Sequence, residues 1–448
     1  MRAVIGIDVG SSAIKGTLVA EGTVLHTDRL PIPARLPTAP EFFEHDPLAI
    51  RDAAFEIISK LAGKTSELGL CISALAFTGQ MHGGLVVDRR LRPLTNFVTW
   101  QDKRCTAMLP KLETQFGEDP TGLNVRNGFL LTTLAWWNRH GALPNGSAYV
   151  LGIYDWLTSL LAGHAVTDIT SAAAWAMFDP IRKEWRHAVF DSFGIPQSLL
   201  PDVFEPGAWV GQVEQSLANV LGLPLDTAVH ASIGDTQAAY LGAGCTSTDL
   251  LLNFGTGSQS MWETTTPLAS RGTDIRYLMR DRFLVTVPTL AGGEAYRTMA
   301  LFIQDVLSEF EPPSGPSERL GRSDLSKIFA LMDRLACGTS SHGIHFDPIF
   351  AGSKFRPEGE RASIVGLTRE NFLLAPLLRA LVEGMIEEIA APYFERESRM
   401  RHQRLIGAGS GMRSNQSLRE AAEQRFGLPI SVSRVTEEAA LGAAMLCG

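Results

Sequence analysis

The chain has 448 residues and a formal net charge of −8, with 45% hydrophobic and 20% charged residues. This length is too great for one ordinary domain, so we expect two domains. The acidic balance and the lack of a long basic run exclude a nucleic-acid surface, which needs a basic patch, and favour a small substrate.

The N-terminal segment MRAVIGIDVGSSAIKG carries Asp8 and Lys15 within its apolar stretch. These charges interrupt the apolar core that a signal peptide requires. The sequence has no apolar run of about eighteen residues that could span a membrane. Its five cysteines are scattered, odd in number and without C-x-x-C spacing, which favours a reduced chain without disulfides or a zinc site. We therefore expect a cytoplasmic protein with no membrane partner.

A strand followed by a glycine turn occurs twice in the chain. The segment AVIGIDVGSS predicts a strand over Val4 to Ile7, and IKGTLVA continues it as a hairpin. A similar unit begins at Leu250 to Leu252 and turns at residues 255–257. Two such hairpins indicate a duplicated architecture, in which each half begins with the same element. The second unit has Asn253 near the position that Asp8 takes in the first, so the halves are not chemically equivalent.

Strands and helices alternate between the two hairpins. Asp46-Pro47 predicts a helix start, with a capping residue before a proline. Apolar residues then follow at helical spacing, namely Ile50, Ala54, Ile57, Ile58 and Leu61. A strand is predicted over Ala74 to Phe77, and helices near Leu130 to Arg139 and Tyr154 to Leu161. This alternation predicts an α/β fold.

The predicted division of the chain falls between Gly242 and Thr248. We expect an N-terminal domain over residues 1–245 and a C-terminal domain over residues 246–448. The Pro- and Ser-rich stretch from Glu311 to Asp324 is interpreted as a surface loop. The sequence does not decide the oligomeric state and leaves a homodimer open.

Three loops rich in glycine and hydroxyl residues predict a nucleotide site. Such turns direct several backbone N–H groups at one anion, although a single glycine turn often does no more than reverse the chain. An acidic residue beside a phosphate loop is a common way to hold Mg²⁺, often through water, and Asp8 has that position. The loops and Asp8 together thus predict a nucleoside triphosphate held with Mg²⁺. The candidate nucleotide residues are Gly10, Ser11, Ser12 and Lys15 in the first loop, Gly255, Thr256 and Gly257 in the second, and Gly407, Gly409, Ser410 and Asn415 in the third.

The third loop, IGAGSGMRSN, is superficially similar to a dinucleotide-binding fingerprint. It lies far from the N-terminus, and no suitably placed acidic residue follows it on a strand. A dinucleotide site is therefore not predicted.

The segment FTGQMHGGLVV places Gln80, Met81 and His82 at the end of a predicted strand. Gln and His at such a turn are suited to hydrogen bonds with sugar hydroxyls, and Met provides an adaptable apolar wall. The alternative for His82 is a packed structural histidine. We list all three residues as candidates for substrate binding.

In TWQDKR, the residues Trp100, Asp102 and Arg104 alternate, which on a strand would place them on one face. An aromatic platform beside a carboxylate suits a polyol, because the ring covers C–H groups and the carboxylate accepts O–H bonds. Trp100 and Asp102 are therefore candidate substrate-binding residues. An ion pair between Asp102 and Arg104 is the alternative.

The stretch SIGDTQAAYLGAG contains a single charged residue, Asp235, at a predicted strand-to-helix turn. Asp is a common helix N-cap, which is one interpretation. The other is a general base in a hollow lined by glycine, where a substrate could approach. The residues of this stretch alone leave both open.

The ordered motifs resemble the FGGY carbohydrate kinases, members of the actin-like ATPase superfamily. The resemblance covers nearly the whole chain and rests on IGIDVGSSAIKG, GQMHG, WQDKR, LTSLLAGHAVTDITSA, NFGTGS, IGAGSGMRSN and VTEEAALGAAML. It implies a duplicated, ribonuclease H-like fold with two domains around a cleft. It also implies ATP-dependent phosphorylation of a terminal sugar hydroxyl, with Asp235 as the base that also contacts the sugar. An actin- or Hsp70-like ATPase switch is the rival from another class, although GQMHGG and TWQDKR have no role in one.

Within the family, TWQDKRC and the loop Gly234 to Gln237 resemble the sedoheptulokinase forms more than those of xylulokinases. The expected substrate is therefore sedoheptulose, with D-xylulose or another ketose or polyol as the alternative. The segments around Glu294 and Lys354 depart from the family pattern. Their effect on nucleotide contacts, and the kinetic order, are not fixed by the sequence.

Overall fold

The computed structural model describes residues 2–255, 257–310, 325–353, 355–356 and 359–447. Three sequence predictions lie outside the described residues: the surface loop at residues 311–324, the nucleotide contact of Thr256, and the variant segment at Lys354.

The N-terminal half contains these elements: β1 (Arg2–Val9), β2 (Ala13–Ala20), β3 (Thr23–Pro31), β4 (Glu44–His45), α1 (Pro47–Leu68), β5 (Cys71–Gly79), β6 (Leu85–Val87), β7 (Phe97–Val98), α2 (Leu109–Phe116), α3 (Leu130–Arg139), β8 (Tyr149–Leu151), α4 (Ile153–Ala162), β9 (Val166–Asp168), α5 (Ile169–Ala174), β10 (Phe178–Asp179), β11 (Glu184–Trp185), α6 (His187–Phe193), β12 (Asp202–Phe204), β13 (Trp209–Gln212), α7 (Gln215–Leu221), β14 (Ala228–His230), β15 (Ile233–Gly234) and α8 (Asp235–Gly242).

The C-terminal half contains β16 (Asp249–Phe254), β17 (Ser258–Thr264), β18 (Asp274–Met279), β19 (Arg282–Thr289), α9 (Gly293–Phe310), α10 (Ser326–Ala336), β20 (His345–Asp347), β21 (Ser363–Val365), α11 (Leu374–Glu397), β22 (Arg404–Ala408), α12 (Gly409–Ser414), α13 (Gln416–Phe426), β23 (Ile430–Val432) and α14 (Glu438–Met445).

The two mixed sheets share the order of five strands, and their sixth strands, β13 and β18, lie at opposite ends of that shared order. Among the described residues, the first sheet runs β13-β14-β5-β1-β2-β3, and the second runs β18-β19-β17-β16-β22-β23. In the first, β1, β2 and β3 are antiparallel, while β5 and β14 continue on the other side of β1 as parallel strands. In the second, β16, β17 and β19 repeat the antiparallel part, and β22 and β23 the parallel part. The predicted duplication of the two hairpins is confirmed.

The helix predicted after Asp46 is confirmed as α1. The Asp46 side chain accepts a hydrogen bond from the N–H of Leu48 at 2.9 Å, as expected for an N-cap before a proline. All five apolar residues at the predicted spacing are fully buried, and they pack against the first sheet. The predicted helices near Leu130 and Tyr154 are α3 and α4.

The last helix, α14, packs on α8 and on β1 of the first sheet. Glycines make this approach possible, because a Cβ at Gly6 would collide with the carbonyl oxygen of Ala440 and one at Gly442 with that of Ala238. The C-terminal end of the chain thus returns to the N-terminal half. The division at residue 245 stays a prediction. None of the described helices is both long and apolar enough to cross a membrane.

Candidate active site

A cleft of about 1330 Å³ lies between the two halves, with lining residues from both. The N-terminal half contributes Ser11, Ser12, Gln80, Met81, His82, Trp100, Thr170 and Asp235, and the C-terminal half contributes Gly257, Ser258, Arg276 and Glu294.

The parallel strands of the first sheet bring the predicted acid, amide and base to one edge. Asp8 near the end of β1 pairs in register with Thr78 of β5, and Gly234 of β15 pairs with Gly79. Gln80 and Asp235 follow directly in the chain. Since the carboxyl ends of parallel strands meet at the same edge, residues far apart in sequence converge here.

Asp235 is half-buried at the first residue of α8, and Gly234 takes the N-cap position. Its Oδ1 accepts a hydrogen bond from the adjacent Thr236 N–H at 2.7 Å, and within the described chain Oδ2 has no such partner. The carboxylate therefore does not cap the helix. Burial raises the pKa of Asp235, while the charge of Arg276 opposes that rise. A carboxylate with one uncommitted oxygen in a cleft has the form of a general base.

Gly234 allows Met81 to pack against the loop that carries Asp235. A Cβ at Gly234 would collide with the thioether of Met81, which itself lines the cleft. The glycine next to Asp235 is therefore required by close packing of the substrate pocket wall.

Helix α5 supports the loop that carries Asp235. The N–H of Gly234 donates to Oγ1 of Thr170 at 2.8 Å, and this hydroxyl donates to Oδ1 of Asp168. Asp168 is the N-cap of α5 and accepts from the N–H of Thr170 at 2.7 Å. A buried carboxylate thus fixes the loop through one threonine. Both residues lie in the TDITSA segment, for which the sequence predicted no role.

A second carboxyl group, that of Asp155, lies in the same buried network. The Ser171 hydroxyl is 2.7 Å from Oδ2 of Asp168 and 3.2 Å from Oδ1 of Asp155, and both acidic residues are fully buried. Burial and the nearby Asp168 charge raise the pKa of Asp155 well above its usual value. Burial likewise raises the pKa of Asp168.

Two glutamine side chains in the cleft have unused hydrogen-bonding capacity. Gln80 is buried, and neither its Oε1 nor its Nε2 has a partner among the described residues. Gln237 donates from Nε2 to the carbonyl of Tyr277 at 2.9 Å, which leaves its buried Oε1 unpartnered. Buried polar atoms are nearly always paired, so these amides indicate a polar ligand.

His82 presents a neutral ring to the cleft. Its Nδ1 is 2.8 Å from the carbonyl oxygen of Ala174, and the ring stacks on Phe129 with centroids 4.3 Å apart. Because a carbonyl only accepts, the proton lies on Nδ1, which leaves Nε2 as an acceptor. Burial, assisted by the charge of Arg276, lowers the pKa of His82 to about 3.

The prediction that Trp100, Asp102 and Arg104 share one face of a strand is wrong. Only Phe97–Val98 is strand there, and the following residues form turns. Asp102 accepts from the N–H of Phe43 at 2.7 Å and from Nε of Arg104 at 2.8 Å. These side-chain bonds to backbone and guanidinium favour a turn over a strand ladder.

The two candidates in that segment therefore differ in their position relative to the cleft. Trp100 is 46% exposed and lines the cleft. Asp102 is buried and is not among the described residues that line it. Asp102 forms the ion pair with Arg104 that the sequence left as the alternative, which corrects its assignment to sugar binding.

Asp8 is a buried carboxylate with one free oxygen. Its Oδ1 has no hydrogen-bond partner in the described part of the protein, and Oδ2 lies 3.8 Å from Nζ of Lys15. Burial raises the pKa of Asp8 to about 7, against the opposing charge of Lys15. In the described part of the chain, no group of three or more His, Cys, Asp or Glu residues is arranged to hold a metal. A single carboxylate still fits Mg²⁺, which keeps several waters and is bound through one or two carboxylates plus substrate phosphates.

Lys15 also pairs with Glu437, at the start of α14, with 2.8 Å between Nζ and Oε2. This contact links the first glycine loop to the C-terminal end of the chain. Glu437 was not predicted from the sequence, and Lys15 does not line the cleft within the described residues.

The second and third glycine loops lie next to each other. The N–H of Gly255 donates to the carbonyl of Gly257 at 3.0 Å. Gly409, with φ of +81°, starts α12 so close to β16 that a Cβ would collide with the carbonyl oxygen of Phe254. Ser410 beside it is exposed.

Two candidates of the third loop have structural contacts. Gly407 is buried inside β22, where a Cβ would lie 3.0 Å from Cδ1 of Ile430. Asn415 is the N-cap of α13 and accepts from the N–H of Leu418 at 2.7 Å. Nucleotide contacts of these residues stay predictions.

Comparison with known proteins accounts for this arrangement. The model of the FGGY family of carbohydrate kinases, N-terminal domain, matches residues 3–242, and that of the C-terminal domain matches residues 250–448. The chain belongs to the FGGY family of carbohydrate kinases. It is therefore a phosphotransferase with an actin-like ATPase fold, as the motifs predicted, and members of this family use ATP. The alternative of an ATPase switch module is set aside.

Several FGGY kinases cover most of the chain at modest identity. A xylulose kinase of Staphylococcus epidermidis is 27% identical over 95% of this chain and 82% of its own length. A sedoheptulokinase of Mus musculus is 24% identical over 99% of this chain and 96% of its own length. The crystal structure of xylulose kinase from Rhodospirillum rubrum superimposes with a TM-score of 0.86 at 23% identity, covering 99% of this chain and 89% of that one. The structural likeness supports the fold.

Proposed function

We propose that this kinase transfers the γ-phosphoryl group of ATP to the terminal hydroxyl of a ketose, namely sedoheptulose, with Asp235 as the general base. The observation that carries the proposal is the half-buried Asp235, whose Oδ2 is uncommitted, beside unpartnered Gln80 and the Nε2 acceptor of His82. A carboxylate at this position accepts the hydroxyl proton as the sugar oxygen attacks phosphorus.

The phosphates are proposed to lie against the first two glycine loops. Ser11, Ser12 and Gly257 line the cleft from opposite halves, which supports this placement. Asp8 would hold Mg²⁺, which supplies charge neutralisation at the phosphates when bound. The residues proposed for the adenosine part are Gly409, Ser410 and Asn415.

The preference for sedoheptulose over D-xylulose rests on two longer amides. Gln101 and Gln237 both line the cleft, and they belong to the segments that resemble sedoheptulokinases. Additional hydroxyls of a seven-carbon ketose would meet such amides. We also propose that the protein is cytoplasmic, which its five free cysteines support.

A coupled assay of ADP release with a panel of ketoses and polyols tests this proposal. We expect kcat/KM for sedoheptulose to exceed that for D-xylulose at least about tenfold, equivalent to roughly 1.4 kcal/mol. Equal or reversed values would assign another ketose while leaving the mechanism intact. ADP release that ignores every sugar would contradict the proposed function itself.

A further inference from the structure

Arg276 brings a cation from the C-terminal half to the sugar pocket of the N-terminal half. It lies on β18, and its Nη1 is 3.5 Å from Sδ of Met81. It lines the cleft together with Gln80 and Asp235. One half of the protein therefore supplies the base, and the other supplies a guanidinium to the same space.

The guanidinium of Arg276 has no oxygen partner within the described chain. Its Nε is buried and unpartnered, and the Met81 thioether is only a weak acceptor. Arg104 and Arg379, which are buried, both have carboxylate partners, namely Asp102 and Glu383. Because a guanidinium has five donors and no acceptor, an oxygen-rich molecule is the missing partner.

The charge of Arg276 acts on both polar groups of the proposed site. Burial raises the pKa of Asp235 and the Arg276 charge opposes that rise, whereas burial lowers the pKa of His82 and the Arg276 charge adds to that fall; Arg276 forms no hydrogen bond with either residue. A molecule bound between Asp235 and His82 therefore lies within the electrostatic field of the Arg276 charge. The contact with Met81 places the guanidinium at the sugar loop, which favours the acceptor over the nucleotide phosphates.

We propose that Arg276 is a specificity-determining residue that donates hydrogen bonds to carbonyl or hydroxyl oxygens on adjacent carbons of the sugar. This inference rests on the proposed function, because it names the ketose as the missing partner. The acceptor then bridges the two halves, and an analogue without the matching oxygen leaves a buried donor unpaired and binds less well.

Calorimetric titration of the enzyme with the preferred ketose, without nucleotide, tests this assignment. Arg276→Met retains a long side chain near Met81 but removes the donors, and we expect it to weaken ketose binding about tenfold to a hundredfold. Arg276→Lys retains the charge without the planar fork and should give an intermediate loss. KM for ATP should not change. The control is Arg282→Met, on β19, where the guanidinium pairs with Glu263 at 3.1 Å; it should bind ketose as the wild type does.

Unchanged ketose affinity in Arg276→Met overturns the inference. A rise in KM for ATP with unchanged ketose affinity also overturns it, since the guanidinium then acts on the phosphates. Ketose binding and ADP release by the wild-type enzyme test the proposed function separately. Ketose binding without ADP release contradicts the kinase activity on that sugar, whereas loss of that binding in Arg276→Met still supports the role of Arg276.

Discussion

Substitution of Asp235 tests whether this residue acts chemically, as a general base, or only structurally. Asp235→Asn preserves the shape of the side chain but removes the proton acceptor. We expect kcat to fall about a hundredfold to ten-thousandfold, while calorimetry shows sugar and ATP binding largely retained. Its Oδ1 already bonds to the N–H of Thr236, and the amide oxygen of Asn can keep that bond.

Asp226→Asn is the matched control for that variant. Asp226 is exposed and is not among the described residues that line the cleft, so its kinetics should match the wild type. Near-normal turnover of Asp235→Asn would remove the general-base assignment.

The candidate residues differ in how far sequence could identify them. Gln80 and His82 were predicted because they follow a strand at a turn, which is a local pattern. Asp102 was assigned wrongly, since its bonds to Phe43 and Arg104 form only when distant segments meet. Arg276 was missed because its role depends on contact with Met81, far away in the chain. No local spacing encodes such a contact.

At the scale of elements, the start of α8 depends on the start of α5. Thr170→Val retains side-chain volume but leaves the N–H of Gly234 without its partner. We expect a loss of about 1–3 kcal/mol in the free energy of unfolding. We also expect a fall in kcat of about tenfold or more, because displacement of the loop misplaces Asp235. KM for ATP should change little.

Thr170→Ser shows whether kcat depends on the hydroxyl of this residue, which positions the loop, or on the packing of its methyl group. It keeps the hydroxyl that accepts from Gly234 and donates to Asp168, so kcat should return close to the wild-type value. A Thr170→Val enzyme with lower stability but unchanged kcat would show that the hydrogen bond is structural only.

The buried pair behind this loop makes stability depend on pH. Burial and then the Asp168 charge raise the pKa of Asp155 above its usual 3.8. The folded chain therefore holds this proton more tightly than the unfolded chain does. Its contribution to stability is full below about pH 4 and is lost as the pH rises through the folded pKa. We expect the free energy of unfolding to fall with rising pH more steeply in the wild type than in Asp155→Asn, by up to about 1.4 kcal/mol per unit.

Urea unfolding between about pH 4 and pH 8 measures this difference, and Asp226→Asn serves as the charge-matched control that should keep the wild-type slope. Parallel curves for the wild type and Asp155→Asn would contradict an elevated pKa at this site.

Elements with strong local signals were predicted well. The cap and apolar spacing of α1 and the two glycine-turn hairpins depend on neighbours in the chain. The strand over Trp100 to Arg104 was predicted from alternation alone and is a turn, because side-chain bonds of Asp102 replace a ladder. The position of α14 on the first sheet was not anticipated, since it depends on glycines at Gly6 and Gly442.

At the scale of the whole molecule, both halves line one cleft. Side-chain contacts beside the cleft join the two halves. Gln237 donates to the carbonyl of Tyr277, Tyr277 in turn donates to Glu205 at 2.7 Å, and Lys183 pairs with Asp281 at 2.8 Å. The duplicated hairpins could be predicted because both halves carry the same local strand-and-glycine-turn pattern. The contacts between the halves involve side chains with no such repeat.

Ligands should draw the two halves together. The cleft has room for about 1330 Å³ of solvent and ligand, and phosphoryl transfer requires that water be excluded from the γ-phosphate. We expect the radius of gyration from X-ray scattering to decrease when the ketose and a non-hydrolysable ATP analogue are both present, and to decrease less with either alone. Arg276→Met should reduce the response to ketose, because the proposed bridge from β18 is missing, whereas Arg282→Met should respond as the wild type does. An identical radius of gyration with and without both ligands would show that transfer takes place in the open cleft.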